Sequence, residues 1–165
     1  MVVEIRETTI ADKPVVTNLL QFYLYDFSEM IGLGIPNDGR YTDEDMDGCW
    51  VDPLRHTFLV KVSGELAGFA IVDDLRKGKD DEHVIDMAEF FIMRKFRKQG
   101  IGDYVATALF DRFKGRWRVR QLWQNAGALA FWRKVIGRYT QGNYTDTTWA
   151  GRYSHGTVQF FENSR

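Results

Sequence analysis

The chain has 165 residues, 44% of them apolar and 15% aromatic, with 22 basic and 23 acidic side chains. That length fits one domain over 1–165 with a real core, and the composition excludes a disordered chain. No apolar run approaches the roughly 18 residues that a bilayer requires, and the lone Cys49 excludes a disulfide framework or a cysteine metal site within one chain.

The opening residues MVVEIRETTIADK carry no apolar signal core, so no signal peptide and a cytoplasmic location are expected. Residues 2–9 alternate apolar and polar and read as a strand. Asp12 precedes Lys13 and Pro14, a good helix cap with proline in the first turn. Val15, Val16, Leu19, Leu20, Tyr23 and Leu24 then recur at helical spacing. The glycine-rich, acidic stretch after that helix reads as a loop or a broken short helix. HTFLVKV and LAGFAIVDD are strands around the turn SGE, a hairpin. A polar turn over 75–83 leads into VIDMAEFFIMRKF (84–96), a long strand apolar on both sides near its end and therefore central. A helix is expected from about Gly102, a strand over 116–124, and a helix over 125–136 with Asn125 as its cap. The tail reads as two strands around a glycine-rich loop. The order β–α–loop–β–β–β–α–β–α–β–β predicts a mixed α/β domain around a largely antiparallel sheet.

Charge is laid out unevenly. Residues 26–52 hold eight acids and one base; residues 94–120 hold nine bases and two acids. Two ligands of opposite sign would account for this, and so would solvated faces or mutual attraction. Within the basic segment, RKFRKQGIGDYVATALFDRF runs from a strand through a glycine-rich turn into a helix. Unpaired N–H groups and the helix dipole make such a helix start attractive to anions. Glycines let phosphate oxygens approach the backbone, and Arg97 and Lys98 add full charges; together these parts form a pyrophosphate cradle. A basic turn with incidental glycines is the plainer alternative. A P-loop does not fit, because Asp103 and Tyr104 follow Gly102, and a dinucleotide fingerprint does not fit, because position 105 is Val105.

Arg97-Lys98-Gln99-Gly100-Ile101-Gly102, behind an apolar strand, resembles the central motif of the GNAT superfamily, the acyl-coenzyme-A-dependent N-acyltransferases. Asn125, Ala128, Phe131 and Lys134 resemble that family's second motif, and the hairpin with Gly68-Phe69 resembles the strands before the first. The resemblance covers nearly the whole chain and is firmest over 56–137. It implies a GNAT-like mixed, largely antiparallel sheet flanked by helices and splayed at the acyl-CoA site. Acetyl-CoA is implied as co-substrate. Its pantetheine arm would pair near Phe91, Ile92 and Met93, and its pyrophosphate would meet Arg97, Lys98, Gln99, Gly100, Ile101 and Gly102. Asn125 and Trp132, from the second-motif helix, complete the expected cofactor residues.

Transfer of an acyl group to an amine needs a neutral nucleophile, although a free alkylamine has a pKa of about 10.4. It also needs a donor for the oxyanion. The resemblance implies direct attack in a ternary complex, without an acyl-enzyme, so Cys49 has no part. Glu89 on the central strand is the expected base, with apolar neighbours that lift a carboxyl pKa; a solvated or ion-paired carboxylate is the alternative. The oxyanion donor is expected to be a main-chain N–H near Ile92 or Met93. Trp132 stands where the family often has a tyrosine, and an indole N–H does not usefully release a proton. Tyr139 is the expected substitute acid, unless the thiolate leaves unaided.

The first helix and the loop after it would wall the acceptor site, with Tyr23, Tyr25, Asp26 and Glu29 suiting a small cationic amine. Acidity for solubility is the alternative. His56, His83 and His155 are scattered, so no metal is expected. No nucleic-acid or membrane partner is expected, and the chain is expected as a monomer or homodimer. A non-catalytic acyl-CoA-binding or sensor domain is the main alternative, and nucleic-acid binding through 94–120 is a third.

Overall fold

The computed structural model describes residues 1–77, 82–152 and 154–163. Its helices and strands follow the expected order: β1 (Val3–Glu7), α1 (Lys13–Ile31), β2 (Arg55–Val62), β3 (Glu65–Lys77), β4 (Glu82–Ile92), α2 (Ile101–Arg112), β5 (Arg116–Leu122), α3 (Ala126–Tyr139), β6 (Thr145–Ala150) and β7 (His155–Glu162). The strands form one seven-stranded sheet in the order β1-β2-β3-β4-β5-β7-β6. The β4–β5 pair is parallel, while β1–β2, β5–β7 and β6–β7 are antiparallel. This is the expected mixed α/β architecture. The contacts of the chain cluster into two units, Met1–Val72 with Glu89–Ile101, and Asp73–Ala88 with Gly102–Arg165.

In the first unit, β1 pairs with β2 from Val3↔Val62 to Glu7↔Phe58. Ser63 and Gly64 both take left-handed φ, 48° and 85°, which lets a two-residue turn join β2 to β3 without splaying the strands. Helix α1 buries Val16, Leu19 and Leu20, as its periodicity requires. Asp12 stands at the N-cap of α1 with Pro14 in the first turn, as expected, but its side chain makes no capping hydrogen bond. Asp12 is itself helical (φ −84°, ψ −8°), and its carboxylate accepts from Arg6 at 2.7 and 3.0 Å and from the Thr9 N–H at 2.9 Å. It therefore closes a preceding 3-10 turn, because a guanidinium on β1 competes for the same oxygens. The acidic loop is partly built in: Gln21 clamps Tyr41 through both main-chain groups at 2.8 and 3.1 Å. A 3-10 turn, Glu44–Trp50, then buries Met46 and Cys49.

The polar turn expected over 75–83 is shorter than its composition suggests, since β3 runs to Lys77 and β4 begins at Glu82. Its tip, 78–81, lies outside the described residues. At the other end β4 stops at Ile92 instead of continuing to residue 96, and Arg94–Phe96 form a 3-10 turn that buries Phe96. Gly68 on β3 allows a close approach here: a Cβ at this position would lie 2.0 Å from the Phe91 carbonyl oxygen.

In the second unit, Val84, Ile85 and Asp86 of β4 pair with Arg116, Trp117 and Arg118 of β5. The parallel step is carried by α2, as a parallel connection requires a crossover. Phe110 of α2 is fully buried, with its ring centroid 4.9 Å from Trp117, 4.8 Å from Phe161 and 6.3 Å from Trp132 of α3. Three polar side chains of this unit, Asp86, Gln121 and Gln159, are buried in place of apolar ones. Asp86 accepts from Arg118 Nε at 2.7 Å and Arg120 Nη2 at 3.1 Å. Gln121 and Gln159 exchange two amide hydrogen bonds, at 2.7 and 2.9 Å.

Candidate active site

The strand end and loop that precede α2 belong to the first unit, together with α1. Phe91 and Ile92 are buried at the end of β4. The Met93 N–H donates to the Ala67 carbonyl of β3 at 2.8 Å, and the Phe91 carbonyl is the one that crowds Gly68. Successive main-chain groups of a strand point to opposite sides. The Ile92 N–H and carbonyl therefore point away from β3. Arg97 Nε donates to that Ile92 carbonyl at 2.6 Å.

After the 3-10 turn, residues 97–100 are exposed and turn the chain into α2. Lys98 (φ 60°) and Gly100 (φ 79°) are both left-handed. A lysine in that conformation is uncommon and bears strain that a glycine does not. A Cβ on Gly100 would meet nothing within 4 Å, so glycine is needed there for conformation and not for space. Gln99 folds back to donate to the Lys95 carbonyl at 2.7 Å. Ile101 is buried, and with Gly102 it forms the first turn of α2, whose N–H groups have no intrahelical acceptors.

Glu89 and Tyr23, proposed for different roles, are neighbours. Burial, first, and the nearby Glu89 carboxylate, second, push the Tyr23 phenol well above its ordinary pKa. The Tyr23 ring sits against Phe27 (4.7 Å), Phe91 (5.6 Å) and Phe69 (5.8 Å). Glu89 therefore lies beside an aromatic cluster formed by Tyr23, Phe27, Phe69 and Phe91.

Asp26 sits differently from the open acidic wall envisaged. Its carboxylate takes Arg94 at 2.7 and 3.1 Å through one oxygen and Arg97 at 2.5 Å through the other. Burial works to raise this carboxyl, and the hydrogen bonds from Arg97 and Arg94 override it and hold it below the usual range. Tyr25 and Glu29 lie on the exposed side of α1, Tyr25 at 66% exposure. Arg94 was not singled out in the sequence. Its partner lies 68 residues away, so nothing local marks it.

The second unit holds the remaining candidates. Asn125 caps α3 as expected, its Oδ1 accepting from the Ala128 N–H at 3.1 Å. Trp132 is buried in the core beside Phe110 and Phe131. The Tyr139 hydroxyl donates to Asp111 at 2.8 Å and accepts from Asn163 at 3.2 Å, and burial is the main reason its pKa is raised. It ties the end of α3 to α2 and to the residue after β7.

Much of the basic segment has protein partners: Arg94 and Arg97 on Asp26, Lys95 on Glu65, Arg118 and Arg120 on Asp86. Mutual attraction thus accounts for part of the charge asymmetry. Among the described residues no group of three or more His, Cys, Asp or Glu could hold a metal, and no described helix is long and apolar enough to cross a membrane.

A family model described as the acetyltransferase (GNAT) family matches residues 18–137, and the chain belongs to that family. Its enzymes use acetyl-CoA and act on small-molecule or peptide amines. No curated protein sequence matches the chain significantly. Among solved structures, yncA of Salmonella typhimurium, solved with its cofactor acetyl-CoA, is 17% identical with a TM-score of 0.64, the match covering 98% of this chain and 94% of that one. The ribosomal-protein-alanine N-acetyltransferase of Brucella melitensis is 19% identical with a TM-score of 0.64, covering 96% and 99%. The aminoglycoside acetyltransferase meta-AAC0020 from an uncultured soil sample, in complex with sisomicin, is 18% identical with a TM-score of 0.61, covering 81% and 86%. These neighbours share the fold while differing in the acceptors their names state, so the fold does not choose an acceptor.

Proposed function

We propose that the chain is a single acetyltransferase domain that moves an acetyl group from acetyl-CoA to an amine, in a ternary complex, with Glu89 as the base. The observation that carries this is the place of Glu89 on the strand that leads into the phosphate-type loop, beside the half-buried Tyr23, whose ring packs on Phe27, Phe69 and Phe91 and whose phenol the Glu89 charge helps push up. Left-handed Lys98 and Gly100, followed by the first turn of α2, suit a diphosphate by the helix-start argument. Glu89, directly or through one water, takes the proton that the ammonium must lose. The amine nitrogen then attacks the thioester carbonyl, the nitrogen gives up its second proton to the leaving sulfur or to solvent, and the C–S bond breaks to leave a neutral amide and coenzyme A. The Met93 N–H is committed to Ala67, so the Ile92 N–H, which points away from β3, is the better oxyanion donor. Tyr139, bound to Asp111 and Asn163, has a structural part in this scheme. A small cationic acceptor fits the exposed Tyr25 and Glu29 of α1; Asp26 is already paired with arginines.

Thiol release from acetyl-CoA across a panel of amines tests the activity. E89Q is expected to lose about 10²–10⁴-fold in kcat while binding acetyl-CoA as before. Equal kcat in E89Q would remove Glu89 from the chemistry. A wild type that binds acetyl-CoA but turns over no amine would favour the non-catalytic acyl-CoA-binding alternative.

A further inference from the structure

Arg97 has two claims on it that one position cannot satisfy. In the structure its Nε donates to the Ile92 carbonyl at 2.6 Å, its Nη2 donates to Asp26 Oδ2 at 2.5 Å, and its guanidinium carbon lies 5.6 Å from the centre of the Phe91 ring. The Ile92 carbonyl is the main-chain acceptor that faces away from β3, and it is the one that an added pseudo-peptide would use. The proposed carrier has both parts: an arm whose amides need that acceptor, and a diphosphate that needs the charge Arg97 carries. Asp26 has a second partner in Arg94, at 2.7 and 3.1 Å, so losing Arg97 would not leave its carboxylate unpaired. That makes the exchange cheaper than breaking a lone buried pair.

Resting on the acetyl-CoA reading above, we infer that Arg97 is an exchangeable plug over the Ile92 carbonyl, held there by Asp26. A diphosphate draws the guanidinium off, and the same movement opens the main-chain acceptor to the arm. The site thereby selects thioester carriers that bear a diphosphate and disfavours short pantetheine thioesters, which cannot displace the plug. Arg97 and Asp26 are positioning residues in this scheme, since neither touches the reacting atoms.

Titration of wild type, R97A, R97Q and D26N with acetyl-CoA and with S-acetylpantetheine tests it, with thermal unfolding to confirm that each variant is folded. R97A and R97Q are expected to weaken acetyl-CoA roughly tenfold or more, as loss of a charge-assisted hydrogen bond implies. The same two variants are expected to bind S-acetylpantetheine more tightly than wild type does. D26N, with a looser plug and Arg97 intact, is expected to bind acetyl-CoA more tightly. If S-acetylpantetheine gains nothing in R97A and R97Q, or D26N weakens acetyl-CoA, the plug is refuted while the acetyl-CoA reading stands. If wild type binds neither carrier, both fall together.

Discussion

A phenol pushed above its ordinary pKa keeps its proton over the whole working range, so Tyr23 stays able to donate to the neighbouring Glu89. Such a donor favours the ionised carboxylate, which is the form a base needs. In Y23F the acid limb of the pH profile of kcat/KM is therefore expected to move to higher pH, with affinity for acetyl-CoA little changed; an unmoved limb would separate Tyr23 from the base. The sequence offered both residues but not their pairing. Glu89 stood out by its apolar neighbours, and Tyr23 by its place on the first helix. That they meet depends on how α1 lies against β4, which no local pattern records. The same holds for Asp26, whose acidic stretch suggested a ligand-facing wall, while its two arginines come from 68 and 71 residues further along.

Elements were easier to read than their ends. Among the described residues, each α-helix and strand lies in a segment read as such from the sequence, and for most of them the sign was the repeat of 2 or 3.6 that burial of one face leaves. Termini depend on competing partners: Asp12 gave its oxygens to Arg6 and Thr9, and β4 gave way to a 3-10 turn at Arg94. Gly68 illustrates a signal that was visible but not interpreted. It stood in the hairpin motif as a residue type, whereas its reason lies in the Phe91 carbonyl oxygen, which occupies the space of a side chain. G68A is expected to cost at least about 2 kcal/mol, measured by urea unfolding, since a backbone atom cannot step aside as a flexible side chain can. The KM for acetyl-CoA is expected to rise as well, because the displaced segment is the end of β4 that carries Ile92. A G68A variant of unchanged stability would mean that β3 and β4 separate freely there.

At the scale of the whole molecule, near-neutral net charge conceals individual arginine–aspartate pairs, and those pairs have a pH signature. The Arg6 hydrogen bonds hold the Asp12 carboxyl well below its usual range, and Asp26 is held low by Arg97 and Arg94 against its burial. A carboxyl depressed in the folded state lends stability that is complete above its unfolded pKa of about 4 and is lost as pH falls toward the folded value. Wild type is expected to lose stability between pH 6 and pH 3, and D12N and D26N each to lose less over the same interval; identical losses in urea unfolding would show that other groups govern the acid limb. The architecture was legible because ten elements in this order with a parallel crossover leave few arrangements open. The buried amides of Gln121 and Gln159 were not legible, since alternation places them inward without naming a partner. Their consequence concerns alignment. Sliding β7 by two residues along β5 would keep every greasy face inward, so oiliness alone tolerates the slip. The amides do not: shifted apart, each would sit dry with its donor and acceptor unanswered, and the misaligned sheet would be penalised at the one place where hydrophobicity is indifferent.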